Sequence, residues 1–137
     1  MDVVLSGECA VMENLDDRAI EQVAQFFAVF AVPTRLKILN ALRDGERNVG
    51  DLASALGSGQ ANTSKHLGVL AQAGLIEKST RGTSAFYRIA DPRVYQLCDL
   101  VCAQIGRRLE RQAEAREAFI AVARPPRGKA RNRAARR

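Results

Sequence analysis

A chain of 137 residues, 47% hydrophobic and 26% charged, has the composition of a soluble globular protein and the length for one small core. Its apolar runs around Phe26–Val32 and Leu97–Val101 are too short and interrupted to span a bilayer, so no membrane partner is expected. The formal net charge of +6 is concentrated at one end: residues 124–137, RPPRGKARNRAARR, hold seven of the 21 basic residues, which leaves 14 basic against 15 acidic over 1–123, a net of −1. Overall charge therefore does not argue for nucleic-acid binding by the folded part.

Residues 1–15 read as an N-terminal arm carrying Cys9. The opening stretch MDVVLSGECAVMENLDD lacks the basic segment and sustained apolar run of a signal peptide. The expected location is cytoplasmic, where the three cysteines, Cys9, Cys98 and Cys102, are reduced thiols rather than a disulfide framework.

Acidic Glu13, Asp16 and Asp17 suit a first helical turn, and Ile20, Val23, Phe26, Phe27 and Phe30 repeat at helical spacing, which predicts a helix over about 16–30. Ala31-Val32-Pro33-Thr34 breaks it and starts a second, since proline fits an early helical position whose amide needs no partner. Ile38, Leu39 and Leu42 continue that helix to Asp44-Gly45. A short helix follows at about 48–56 with Val49, Leu52 and Leu56 inward, then the turn Gly57-Ser58-Gly59.

The next helix runs from about Gln60 to Ala73, with Leu67, Leu70 and Ala71 on one face and Asn62, Thr63, Lys65 and His66 largely on the other. Gly74 stops it where a left-handed backbone is wanted. Residues 75–80 and 84–89 alternate as two strands joined through Arg81-Gly82-Thr83. Asp91-Pro92 opens a last helix that stays periodic to about Val122, and 16–122 reads as one domain. The stretch 123–137 reads as a disordered basic tail, solvated rather than sequence-reading.

Two short helices joined by a tight glycine turn, the second polar on its outer face, read as a helix-turn-helix, and the hairpin after them makes it winged. Gln60, Asn62, Thr63, Ser64, Lys65 and His66 cluster at the start of the second helix, the end that enters a major groove, and are of types that bond base edges or phosphates. Arg81 and Thr83 at the wing tip are placed to reach an adjacent phosphate or minor groove. The plain alternative is a solvated helix face.

The stretches AVPTRLKILNAL (31–42), NVGDLASALG (48–57), GQANTSKHLGVLAQAGLIE (59–77) and RGTSAFYRI (81–89) shift that balance. Over about 16–118 the chain resembles the ArsR/SmtB winged-helix repressors, with the QANTSKHLGVLAQAGLI stretch the most specific. The resemblance implies a mainly α fold with a small β-hairpin and a homodimer formed through the first and last helices. It also implies binding to a double-stranded operator palindrome and release on meeting an effector.

An enzyme reading finds little support, because the single histidine, His66, has no evident Ser or Cys partner and no phosphate-cradling glycine loop occurs. Ligands at metal-binding spacing are also missing around His66, so a DNA-facing role is expected for it. No organic cofactor is expected.

Val94, Cys98, Val101, Cys102, Ile105 and Leu109 fall within about 100° of arc on a helix, the stripe a dimerising helix buries. Cysteine is a common small core residue, so packing is the plain reading of the pair. Three features favour a sensor: the rarity of cysteine elsewhere, the i,i+4 step that brings both sulfurs within reach of one soft ion, and Cys9 on the arm before the first helix.

The family resemblance narrows the ligand. Members that sense arsenic or cadmium through the third helix carry cysteines there, where this chain reads NVGDLAS; those that sense zinc at the last helix use Asp and His, and no histidine follows His66. Persulfide-sensing relatives place a cysteine on the second helix, where Asn40 and Ala41 stand. Three thiols, Cys9, Cys98 and Cys102, leave zinc one ligand short and complete the pyramidal shell of As(III). A trivalent arsenical is the first choice of effector, with other soft thiophilic ions next.

Two alternatives stand beside it. One is a repressor of the same fold in which Cys9 pairs with Cys98 or Cys102 through oxidation or a polysulfide. The other is a cysteine redox enzyme, disfavoured because C-x-x-x-C inside a helix is not the C-x-x-C at a helix start that lowers a thiol pKa.

Overall fold

The computed structural model describes residues 10–123, which divide after Pro92 into two compact units. The arm residue Cys9 and the tail 124–137 lie outside the described residues. The stretch read as one domain over 16–122 thus comprises a winged unit and a separate long helix.

The winged unit opens with a single turn, α1 (Ala10–Glu13), a helix the sequence reading did not anticipate, followed by α2 (Asp17–Phe30). Asp16 caps α2: its carboxylate accepts from the Ala19 amide at 2.8 Å, satisfying one of the amides that a helix start leaves unpaired. No residue of α2 is buried, and Ile20, Phe26 and Phe27 remain 40–53% exposed. Phe26 and Phe30 stack edge to face with ring centroids 5.4 Å apart.

Helix α3 (Pro33–Ala41) begins where expected. The pre-proline Val32 is extended, as the clash with the proline ring requires, and Pro33 takes the first turn. A 3-10 turn (Leu42–Asp44) finishes the segment. Ile38 and Leu39 of α3 and Leu42 of the 3-10 turn, each 0–2% exposed, are this segment's contribution to the core.

Asn48 caps α4 (Val49–Leu56) by accepting the Asp51 amide at 2.8 Å. The helix stops at Gly57 with φ 60°, a left-handed conformation that a side chain would strain, and the Ser58 amide closes onto the Ala53 carbonyl at 3.0 Å. After Gly59, α5 (Gln60–Gln72) runs to Gly74, whose φ of 77° lets the Leu75 amide bond back to Leu70 at 3.0 Å. Strands β2 (Ile76–Arg81) and β3 (Ser84–Ile89) form the hairpin, with Arg81 opposite Ser84 and Ile76 opposite Ile89.

A third strand, β1 (Arg47–Asn48), was not expected from the sequence. It pairs antiparallel with β3, Arg47 opposite Tyr87 and Asn48 opposite Phe86, giving the order β1-β3-β2. The core gathers Ile38, Leu39, Leu42, Leu52, Ala53, Leu67, Leu70, Leu75, Ile76 and Tyr87 from helices and sheet alike. Each large aliphatic side chain there contributes about 1.5–3 kcal/mol by leaving water, and together they fix α5 against α3 and α4.

The second unit is the helix α6 (Val94–Ala123), which starts two residues after the expected Asp91-Pro92. None of its residues is buried. In the single chain Val101, Ile105 and Leu109 are 49–59% exposed, and Phe119, Ile120 and Val122 near its end are 43–87% exposed.

Candidate nucleic-acid interface

Helices α4 and α5 with the turn 57–59 form the helix-turn-helix, and β2–β3 forms the wing. Leu67 and Leu70 are both fully buried, so the inward face of α5 is anchored and its opposite face is presented outward. Gln60, Asn62, Ser64 and Lys65 are all exposed there. The Asn62 amide nitrogen donates to the Ser58 hydroxyl at 3.0 Å, holding the first turn of α5 to the preceding turn while its oxygen stays available.

Two residues expected on that face behave otherwise. Thr63 is 0% exposed, and its hydroxyl donates to the Gly59 carbonyl at 2.9 Å, alongside the amide bond from Thr63 to the same carbonyl. Thr63 stands four residues before Leu67 and seven before Leu70, so it belongs to the buried stripe and closes the helix start from within. In the single chain its hydroxyl therefore serves the helix start and is not presented outward.

His66 is half-buried. Its Nδ1 accepts from Arg35 Nε at 3.2 Å, and Arg35 Nη1 reaches the Val29 carbonyl at 3.4 Å. The imidazole is therefore tied to α3 through one nitrogen, and only its other edge remains for a partner.

An open groove brings helix and wing together. It is lined by Asn48, Val49 and Gly50 at the start of α4, by Gln60, Ala61 and Ser64 at the start of α5, and by Thr83, Ser84 and Ala85 on the wing. Three expected site residues, Gln60, Ser64 and Thr83, thus converge on one concave surface. Asn48 and Ser84 were missed by the sequence reading. The only signal for Asn48 was its capping position three residues before Asp51, which points to helix geometry rather than to a ligand.

At the wing, Arg81 does not extend freely. Its Nη2 lies 2.7 Å from Glu46 Oε1, and its guanidinium carbon lies 4.9 Å from the centre of the Phe86 ring. Arg88 and Glu77, facing each other across the hairpin, form a second ion pair at 2.8 Å.

On α6, Cys98 is half-buried and Cys102 exposed, and no disulfide joins them. Among the described residues no three metal-binding side chains cluster, Cys9 being outside that range.

A helix-turn-helix with an outward polar recognition helix, flanked by a sheet-edge wing across a shared groove, defines a winged-helix DNA-binding protein. Residues 32–78 match the family model described as bacterial regulatory protein, arsR family. The chain is 42% identical over 85 residues to the HTH-type transcriptional regulator NmtR of Mycobacterium tuberculosis, an alignment covering 62% of this chain and 71% of that one. Among solved structures it is similar to a homodimeric winged helix-turn-helix DNA-binding domain from Mycobacterium bovis, with TM-score 0.61, 36% identity and coverage of 72% of this chain and 94% of that one. The antimony-specific transcriptional repressor AntR matches with TM-score 0.61 and 32% identity, over 71% of this chain and 88% of that one. The chain belongs to the arsR family of DNA-binding transcriptional regulators.

Proposed function

We propose that the chain is a cytoplasmic homodimeric repressor that binds a palindromic operator and lets go when a trivalent arsenical, or a similar soft thiophilic ion, binds Cys9, Cys98 and Cys102. The observation that carries the DNA-binding half is the convergence of Gln60, Ser64 and Thr83 on one groove. In a duplex complex α5 occupies the major groove, with Gln60, Ser64 and Lys65 toward base edges and phosphates, and Arg81 and Thr83 follow the neighbouring backbone. Dimerisation through α2 and α6 is supported by the apolar side chains that both helices leave exposed in the single chain and by the homodimeric relative.

The effector half rests on donor chemistry. Cys98 and Cys102 stand four residues apart on α6, a step that brings their Cβ atoms to about 5–6 Å and puts both sulfurs on one face. Two thiolates on adjacent turns are a chelate for a soft ion, and a third from Cys9 completes three-coordinate As(III) or Sb(III). The antimony specificity of AntR is that protein's property, and it supports a trivalent group-15 ion as the class to test first. Release requires that the ion bind the DNA-free conformation more tightly, with a coupling of about 1–3 kcal/mol typical of such regulators.

The test is arsenite titration of the protein bound to an operator duplex located by footprinting. One arsenic per protomer should release the DNA, and Cys98→Ser and Cys102→Ser should bind DNA normally yet stay bound. Normal release from Cys98→Ser would show that the pair is packing. A second reading, thiol oxidation or polysulfide bridging of Cys9 to α6, is favoured by the exposure of Cys102; mass spectrometry after a persulfide donor, set against arsenite, separates the two.

A further inference from the structure

We propose that Glu46 restrains the wing cation, holding Arg81 against the sheet and so weakening the protein's grip on DNA of arbitrary sequence. The inference rests on the DNA-binding reading above and adds a residue that belongs to neither the recognition helix nor the wing.

Glu46 stands in the loop between the 3-10 turn and β1. The two residues after it are pinned by pairing with β3, Asn48 opposite Phe86. That short strand fixes the Glu46 backbone beside the wing, and its carboxylate meets Arg81 at 2.7 Å. Arg81 is held a second time by the Phe86 ring, over which its guanidinium lies at 4.9 Å. The Glu46 side chain is the less exposed partner, 25% against 62% for that of Arg81, so the arginine is the more solvent-facing of the two.

A carboxylate on a guanidinium uses the same planar N–H donors that a phosphodiester oxygen uses. Glu46 thus occupies the place of a phosphate on Arg81. A duplex approaching the wing must exchange one anionic acceptor for another, and the Glu46 charge left behind faces the backbone. The free energy of counterion release, which makes each new phosphate contact favourable, is largely offset at this one contact. Specific contacts made by α5 are untouched, because Glu46 touches none of its side chains among the hydrogen bonds and ion pairs described above. The consequence is a bias against non-specific binding, where phosphate contacts supply nearly all the affinity.

A double-variant cycle on the full chain tests this, using Glu46→Gln, Arg81→Gln and the pair. Binding to a duplex of random sequence is followed by fluorescence anisotropy across a salt series. Glutamine is close in shape to glutamate and lies at the surface, so the variants keep the fold, which melting curves check. E46Q should bind random DNA about fivefold more tightly per freed wing at about 0.15 M salt, and its plot of log affinity against log salt should steepen by about 0.9 per wing. R81Q should abolish the gain, the double variant binding as R81Q alone.

Unchanged or weaker binding by E46Q overturns the proposal, the weaker case meaning that Glu46 aims Arg81 at DNA. An equal gain from E46Q in the R81Q background also overturns it, since the effect would then be plain removal of a repelling charge. Wild-type protein that binds no duplex at any salt would instead remove the DNA-binding reading itself, a result distinct from an inert E46Q in a wild type that binds.

Discussion

Arg35 Nε donates to Nδ1 of His66 over 3.2 Å, joining α3 to the recognition helix across 31 positions of sequence. The same guanidinium reaches the Val29 carbonyl near the end of α2, so one side chain ties three helices. Because the bond needs Nδ1 as acceptor, it also fixes the imidazole orientation. Arg35→Ala should weaken operator binding by about 1 kcal/mol, the scale of a single intramolecular hydrogen bond. His66→Ala should cost about the same, and the double variant little more, because both remove one link. Anisotropy titrations of the three proteins decide it; additive losses would mean that His66 contacts DNA independently of Arg35.

Thr63 and Ser64 are neighbours with opposite expectations. Thr63→Val removes a buried hydroxyl bonded to Gly59 and should lower unfolding stability by about 1 kcal/mol while leaving the ratio of operator to random-DNA affinity intact. Ser64→Ala should do the reverse, keeping the melting temperature and weakening operator binding by about 1–3 kcal/mol. Denaturant unfolding and footprinting on the same two preparations check both.

Cys9→Ser should respond to arsenite, at higher concentration than wild type, with operator affinity unchanged. In the proposed site the two α6 thiols, four residues apart on one helix, already form the chelate, and the third donor adds to its affinity. An arsenite response identical to wild type would remove Cys9 from the site.

Deleting 124–137 takes away seven positive charges and should flatten the salt dependence of binding while hardly moving the ratio of operator to random-DNA affinity. A large fall in that ratio would mean that the tail reads sequence. Paired titrations at several salt concentrations supply the comparison.

Local chemistry made most of the winged unit legible. Asp16, Pro33 and Gly74 mark helix ends through effects that reach only about one turn along the chain, and Leu67 with Leu70 sets the inward face of α5 by periodicity alone. The inward turn of Thr63 was available from the same periodicity, since it repeats at i, i+4 and i+7 with those leucines, and its polarity masked the pattern. Strand β1 was not available: Arg47-Asn48 has no strand composition and becomes one only because β3 offers it hydrogen bonds.

The same holds for the pairs that tune the site. Arg35 with His66 and Glu46 with Arg81 are distant in sequence, and no spacing rule connects them. Packing of the buried leucines and isoleucines sets α3 against α5, and the sheet sets the loop before β1 against the wing; only then do these charges and donors meet. Residue type and periodicity determined that α5 would carry polar groups on an outward face. The tertiary structure decided which of them are spent holding the helix and which are left exposed, because hydrogen-bond donors and charges choose partners by distance in space.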